Sequence, residues 1–149
     1  MGKRRKAREA AVQYHFWRDL QRGETPERLD DFWDFCPVKP NVREFAQPLI
    51  EGMVVHLPEI DDRIRKYCEN YEFNRISPVD RNVLRLAIYE MLFRDDIPPV
   101  VSINEAIELA KTFGGGESGR FVNGILDRVK GDLSRPLREP VKKDTTDSE

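Results

Sequence analysis

Residues 76–90 read ISPVDRNVLRLAIYE, and this stretch decides the fold class. It opens with Ser77, Pro78 and Asp80, an order of residues that is typical of a helix start. Serine caps the first free amides, proline fits the first turn, and an acid favours the positive end of the helix dipole. The apolar side chains that follow lie at helical spacing on one wide face: Val79, Val83, Leu86, Ala87, Met91 and Leu92. We therefore predict a helix here that lies at the centre of the core.

The same spacing recurs on both sides of this stretch, and no useful length of chain alternates apolar and polar residues as a half-buried strand does. Besides the central helix, the predicted helices cover about 4–22, a short segment opened by Thr25-Pro26-Glu27, about 41–57, the stripe from Ile60 to Tyr71, Ser102–Gly114, and the segment after Ser118 as far as Leu133. The chain is therefore predicted to be all-α, with about seven helices.

Four local features refine these boundaries. Gly23 is expected to stop the first helix in a left-handed conformation. Pro48 removes a backbone hydrogen bond, so the third helix is expected to kink or to start late. Ser102 and Glu105 match a capping box, which would open the sixth helix. The three glycines at 114–116 predict a flexible turn before the last helix.

Size and composition place the chain among folded proteins. Its 149 residues, 39% apolar and 35% charged, suit one domain or two small subdomains with a shared core. The apolar periodicity ends near residue 134, and the prolines and charges of 135–149 predict a disordered tail. No apolar run approaches the ~20 residues of a membrane helix, and the N-terminus lacks the apolar stretch of a secretory signal. We expect a cytoplasmic protein with no membrane contact.

Little in the sequence suggests catalysis. His15 and His56 are the only histidines, and neither stands at a metal-ligand spacing or near a nucleophile signature. His15 lies one position off the main apolar stripe and is predicted to be a surface residue. Cys36 and Cys68 are too few for a disulfide framework or a four-ligand zinc set, and both are expected to be reduced. Because no strand precedes 114–116, we interpret these glycines as a turn and not as a phosphate cradle.

The charge is distributed unevenly along the chain. Residues 1–18 hold six cations and one acid, a net charge of +5, whereas the whole chain has a net charge of −2. Five cations fall within residues 3–8, at the start of the first predicted helix, where positive charge opposes the helix dipole. This placement costs helix stability, so we interpret the segment as a contact for nucleic-acid phosphates. An ordinary solvated terminus is the alternative that the charges alone leave open.

Aromatic residues follow the cations on the same helix. Tyr14, Phe16 and Trp17 are spread too widely around a helix to face one core, and Phe16 is the one that we place outward. A core aromatic at the edge of a wide stripe is the alternative. Three more residues flank the glycine turn: Phe113, Arg120 and Phe121. Cations and stacking faces together would suit single-stranded RNA.

Four segments carry a resemblance to a known family. They are Arg4–Gln13 (RRKAREAAVQ), Ile76–Glu90, Ser102–Gly114 (SINEAIELAKTFG) and Phe121–Asp127 (FVNGILD). In these segments the chain resembles the NusB transcription antitermination family, and the resemblance covers nearly all of residues 4–130. It implies two small helical bundles packed perpendicular to each other, about 4–72 and 73–134, with no catalytic activity and no cofactor.

The resemblance also implies partners. Proteins of this family bind boxA RNA of nascent ribosomal RNA transcripts together with NusE, a small-subunit ribosomal protein. The pair then acts with other Nus factors on RNA polymerase and suppresses termination. By position, the implied RNA-binding residues are Arg4, Arg5, Lys6, Arg8, Gln13, Phe16, Phe113, Glu117, Arg120 and Phe121. Phe16 and Asp80 are implied to face NusE.

Two alternatives stay open at this point. The chain could be a non-catalytic helical protein-interaction module, in which the basic segment is incidental. It could also be a helical accessory domain of an RNA-modifying enzyme. The chain departs from the family at Phe16, where tyrosine is usual, and at Pro48. The sequence does not distinguish a monomer from a homodimer.

Overall fold

The computed structural model describes residues 2–21 and 29–141. Over these residues the chain forms seven α-helices and one short 3-10 helix, Phe73–Arg75, and no strand. The α-helices are α1 (Lys3–Leu20), α2 (Leu29–Phe35), α3 (Pro40–Val55), α4 (Leu57–Tyr67), α5 (Pro78–Phe93), α6 (Pro99–Gly114) and α7 (Gly116–Gly131). The prediction of an all-α chain with about seven helices is confirmed.

Helix α5 lies at the centre of the molecule, as predicted. Every residue from Asn82 to Met91 is buried, and α5 packs against α1, α3, α4, α6 and α7. The Ser77 side chain accepts a hydrogen bond from the amide of Asp80 at 3.1 Å, so the helix starts with the predicted cap. Because one helix contacts both halves of the chain, a single hydrophobic cluster continues through both.

Helix α1 is attached along its length to the rest of the core. Ala7, Ala10 and Ala11 are fully buried, and such short side chains allow close packing against α3. At the C-terminal end of α1, Asp19 accepts a hydrogen bond from Arg85 at 2.9 Å. The other edge of the Arg85 guanidinium binds Asp61 of α4 at 2.8 and 3.0 Å. This buried arrangement joins α1, α4 and α5.

The prediction that His15 is a surface residue is wrong. His15 is only 1% exposed, and its ring Nε2 lies 3.3 Å from the carbonyl oxygen of Ile50 on α3. Burial, with a contribution from the nearby Arg85 charge, lowers the pKa of His15 to about 3. The sequence shows the main apolar stripe of α1 but not that α3 also covers the neighbouring side of the helix.

The capping box predicted at Ser102 is also wrong. Helix α6 starts three residues earlier, where Pro98 is the N-cap and Pro99 fits the first turn. Ser102 is therefore inside the helix, and its hydroxyl donates a hydrogen bond to Glu90 at 2.7 Å. Glu105 is bound instead by a side chain of α1, described below.

The turn between α6 and α7 is shorter than predicted. Helix α6 continues to Gly114 and α7 begins at Gly116, so only Gly115 lies between them, and Ser118 is inside α7. Gly115 has a φ of +89°, a conformation that L side chains rarely adopt. One glycine therefore reverses the chain.

Pro48 lies within α3, which starts at Pro40, so a late start is not observed. Pro48 is exposed, and solvent can hydrate the carbonyl group that receives no amide from it. The predicted helix stop at Gly23 and helix start at Thr25-Pro26-Glu27 lie outside the described residues.

After α7, residues 134–141 form no regular element but contact the end of α5. The Arg135 guanidinium donates hydrogen bonds to the carbonyl groups of Met91, Arg94, Asp95 and Ile97. Residues 142–149 lie outside the described part of the chain, and the disordered tail stays a prediction.

Two further findings concern the described residues as a whole. Cys36 and Cys68 are both free thiols, as expected, and burial raises the pKa of each. None of the helices in the described ranges has the length and apolar character needed to cross a membrane.

Candidate nucleic-acid interface

The cations at the start of α1 divide into two groups. Lys3, Arg4 and Lys6 are exposed, whereas Arg5 is half-buried and Arg8 is buried. A helix turns by about 100° per residue, so adjacent cations point in different directions. The sequence treats these residues as one basic run, but the structure assigns them different surroundings.

Arg8 is 2% exposed and binds Glu90 of α5 through two hydrogen bonds, at 2.7 and 3.0 Å. Glu90 is itself 1% exposed and also accepts the hydrogen bond from Ser102. A buried charge needs a partner of opposite charge, and each of these groups has one. The structure therefore places Arg8 in the core and not on the surface where it was predicted to contact phosphates.

Arg5 binds Glu105 of α6, with its Nε donating to one carboxylate oxygen at 3.0 Å and a second nitrogen donating to the other. The side-chain hydrogen bond and the opposite charge raise the pKa of Arg5 and lower that of Glu105. About a third of the Arg5 side chain is exposed (32%). The pair joins the start of α1 to the middle of α6.

Arg4 extends over the ring of Phe45 on α3, with its guanidinium carbon 4.7 Å from the ring centre. The guanidinium groups of Arg8 and Arg94 also lie near this ring, at 5.6 and 5.3 Å. Cation–π contacts of this kind restrict the orientation of a long side chain. Arg4 is thus both exposed and oriented.

The aromatic residues of α1 separate as the helical spacing predicts. Tyr14 is buried, and Trp17 stacks against Phe32 with ring centres 6.2 Å apart. Phe16 is half-buried and does not belong to the core cluster of the described residues. Gln13 is exposed and accepts a hydrogen bond from the Cys36 thiol at 3.1 Å.

The α6–α7 turn carries a second group of predicted site residues. Phe113 is 37% exposed at the end of α6, and Glu117 and Arg120 are exposed on the first turns of α7. Phe121 is half-buried and makes an edge contact with Tyr71, with ring centres 5.4 Å apart. Tyr71 was predicted to extend the apolar stripe of α4, yet it is 56% exposed. Together these residues place three aromatic rings at or near this corner.

An open groove runs between this turn and the start of α5. We call it the turn groove, and its lining residues are Ser77, Val79, Asp80, Gly114, Glu117, Ser118 and Phe121. One carboxylate oxygen of Asp80 is buried without a hydrogen-bond partner among the described residues. Asp80 and Glu117 together give the turn groove two acidic lining residues.

Helix α6 connects the two groups of site residues. It carries Glu105, the partner of Arg5, and eight residues later Phe113. Eight residues of helix span about 12 Å. Arg5 is therefore attached to the same helix that presents Phe113.

Sequence reasoning missed the residues that hold the cations. Glu90 binds Arg8, Glu105 binds Arg5, and Ser102 donates a hydrogen bond to Glu90. The ring of Phe45 orients Arg4. One signal was present, because Glu90 is an acid within the most buried stretch of α5. An acid in such a place predicts a cation from a distant segment.

No group of three or more histidine, cysteine or acidic residues in the described part of the chain is arranged to hold a metal ion.

Comparisons with known proteins agree with one another. The model of the NusB family matches residues 5–130. Transcription antitermination protein NusB of Myxococcus xanthus (strain DK1622) is 44% identical over 140 residues, which cover 91% of this chain and 100% of that protein. Among solved structures, T. maritima NusB is similar with a TM-score of 0.78 and 42% identity, covering 89% of this chain and 93% of that chain.

A second solved structure contains antitermination factors NusB and NusE in complex with double-stranded RNA. The matching chain has a TM-score of 0.78 and 30% identity, and the match covers 88% of this chain and 98% of that chain. The family model spans most of the sequence, and the relatives match over nearly their whole lengths. The chain therefore belongs to the NusB family.

Proposed function

We propose that this chain is an RNA-binding transcription antitermination factor, which recognises boxA-type RNA of nascent ribosomal RNA transcripts together with NusE. Through NusE and other Nus factors it acts on RNA polymerase to suppress termination. Its role is binding, without catalysis. Support comes from the similar proteins named for antitermination and from the related structure with NusE and RNA.

The observation that carries this proposal is the exposed cationic start of α1, which is built on a fixed base. Arg8 and Arg5 join α1 to α5 and α6 through paired carboxylates, and Arg4 and Lys6 extend from this base into solvent. A cationic surface held in one orientation loses little conformational entropy when it binds phosphates.

Within this proposal the residues have different roles. Arg4, Lys6 and the exposed part of Arg5 contact phosphates, and Arg8 positions α1 from the core. The second group supplies stacking faces and polar contacts to unpaired bases: Gln13, Phe16, Phe113, Glu117, Arg120 and Phe121. Asp80, which lines the turn groove, and Phe16 face NusE.

Fluorescence anisotropy with labelled RNA tests the proposal. The full chain is titrated into a boxA RNA and a scrambled RNA of the same length, with and without NusE, over a series of salt concentrations. We expect preference for boxA, tighter binding with NusE, and affinity that falls as salt rises. Equal and weak binding to both RNAs under all conditions would instead indicate a protein-interaction module.

A further inference from the structure

A concave surface lies beside the cationic start of α1, and Lys6 is the one lining residue that it shares with a predicted site. It runs between the first turns of α1 and the α2–α3 connection, with a volume of about 380 Å³. We call it the lysine groove, and its lining residues are Lys3, Lys6, Pro37, Val38, Lys39, Asn41 and Val42.

The three lysines make the groove strongly cationic. Within residues 2–21 and 29–141, no carboxylate lies within 4 Å of the ammonium groups of Lys3, Lys6 or Lys39. Arg5 and Arg8, on the same helix turns, are both bound to carboxylates. The positive charge at the start of α1 is therefore available on the side that faces the lysine groove.

The remaining lining of the groove is apolar or uncharged. Pro37, Val38 and Val42 provide an apolar wall, and Asn41 provides a side-chain amide that can both donate and accept hydrogen bonds. Lys39 is the N-cap residue of α3, and its carbonyl group accepts the amide hydrogen bond of Arg43 at 3.0 Å. The backbone that carries Lys39 is thus fixed to a helix.

These features match a nucleotide of a flexible strand. Its phosphate is an anion for the ammonium groups, its ribose or base has a face for the apolar wall, and its polar edges suit an amide. The groove also includes Lys6, which the proposed function assigns to RNA phosphates. We propose that the lysine groove binds one or two nucleotides of single-stranded RNA next to those held by Arg4 and Lys6, and that Lys39 and Asn41 are RNA-contacting residues. This inference rests on the proposed function.

The test compares Lys39→Ala with a matched control, Lys66→Ala. Lys66 lies on α4, its side chain is 62% exposed, and its replacement removes the same charge at a different surface. Affinity for single-stranded boxA RNA is measured by anisotropy from 50 to 300 mM KCl, using the full chain with NusE. We expect Lys39→Ala to weaken binding about threefold to tenfold. The salt slope, which is the slope of log affinity against log salt concentration, should become shallower by about 0.7, as expected for one lost phosphate contact. Lys66→Ala should stay within about twofold of wild type.

Two further variants sharpen the result. Lys39→Arg should restore most of the affinity, since it retains the charge. Asn41→Ala should weaken binding while leaving the salt slope unchanged, because it removes no charge.

Lysine acetylation gives a direct readout. Mass spectrometry compares how fast an amine-specific acetylating reagent modifies each lysine with and without RNA. Protection of Lys39 but not Lys66 supports the inference.

Several outcomes would overturn it. One is that Lys39→Ala binds RNA as tightly as wild type and that RNA does not protect Lys39 from acetylation. If Arg4→Ala still weakens binding in that case, the proposed function holds but the lysine groove is not part of the RNA site. A second is a loss of affinity for NusE and not for RNA, which would make the groove a protein contact. A third is equal weakening with a double-stranded RNA of the same sequence, which would exclude recognition of an unpaired strand. If the wild-type chain binds no RNA at all, the proposed function itself fails.

Discussion

The start of α1 and the α6–α7 turn are both predicted to meet RNA, but they are built in opposite ways. At the start of α1, two arginines are bound to carboxylates on α5 and α6, and the exposed cations project from that fixed base. At the turn, a single glycine reverses the chain beside an open groove lined by Phe121 and by the acids Asp80 and Glu117, and Phe113 lies partly exposed at the end of α6. The charges at the start of α1 should therefore determine the affinity for RNA. Stacking and polar contacts at the α6–α7 turn should determine the selectivity between RNA sequences.

The largest expected effect comes from breaking the base of the cationic surface. Arg8→Ala leaves Glu90 buried without its partner, and such a change costs about 3–5 kcal/mol in the free energy of unfolding. Urea unfolding followed by circular dichroism measures this loss. Arg4→Ala, which removes an exposed charge, is the matched control and should cost under about 1 kcal/mol.

A double variant tests the interpretation of Arg8. Arg8→Met combined with Glu90→Leu removes both charges and should be markedly more stable than Arg8→Ala alone, because no unpaired buried charge is left. If Arg8→Ala unfolds like wild type but loses RNA affinity, then Arg8 contacts RNA directly and the division of the cations into two groups is wrong.

The second largest effect concerns the α6–α7 turn. Phe113→Ala should weaken binding to boxA RNA by about 1–3 kcal/mol, the range for one stacked base, with no change in the salt slope. Arg4→Ala should instead flatten the salt slope by about 0.7 log units and weaken binding to boxA and scrambled RNA alike. Anisotropy titrations at several salt concentrations distinguish the two. A change in salt slope for Phe113→Ala would remove the distinction between the two regions.

The third effect tests how α1 is held against α3, where His15 contacts Ile50. The pKa of His15 is about 3 in the folded chain, and it is near 6.5 in an unfolded chain. The unfolded state therefore binds a proton more readily, and stability falls as the pH falls below about 6.5. Between pH 6.5 and pH 5, before most carboxylates titrate, the loss from His15 should be about 1–2 kcal/mol.

Urea unfolding at a series of pH values measures this dependence. A His15→Gln variant should lack most of this pH dependence, whatever its stability at pH 7. His56→Gln is the control, because His56 lies partly exposed against Phe93. An unchanged dependence in His15→Gln would show that His15 does not stay neutral in the folded chain.

The sequence predicts the helices better than it predicts the site. Apolar spacing identifies α5 and its capping Ser77, because both depend on neighbours within one turn. The same kind of local pattern fails at Ser102 and Glu105, which match a capping box but serve hydrogen bonds to α5 and α1. Which of several possible partners a polar side chain takes depends on helix packing.

The basic segment of residues 3–8 shows the same limit of prediction from sequence. Its net charge is visible in the sequence, but the Arg8 and Glu90 side chains are 82 residues apart in the chain. Their pairing exists only because α1 packs on α5. Spacing along one helix therefore predicts which way a residue points but not what meets it there.

The smallest expected effect concerns how strongly the fixed base restrains Arg5. The Arg5–Glu105 pair is partly exposed, so its loss in Glu105→Gln should cost only about 0.5 kcal/mol of stability. Under the proposed function, RNA phosphates compete with the Glu105 carboxylate for the Arg5 guanidinium, so Glu105→Gln should tighten RNA binding by about twofold to threefold. Glu108→Gln, one turn further along α6, removes the same charge without breaking the bidentate pair and is the control. If both variants tighten binding equally, the gain is a general effect of charge. If only Glu105→Gln does so, the carboxylate that orients Arg5 also limits its contact with RNA. The wild-type chain then binds RNA less tightly because Glu105 holds the Arg5 side chain.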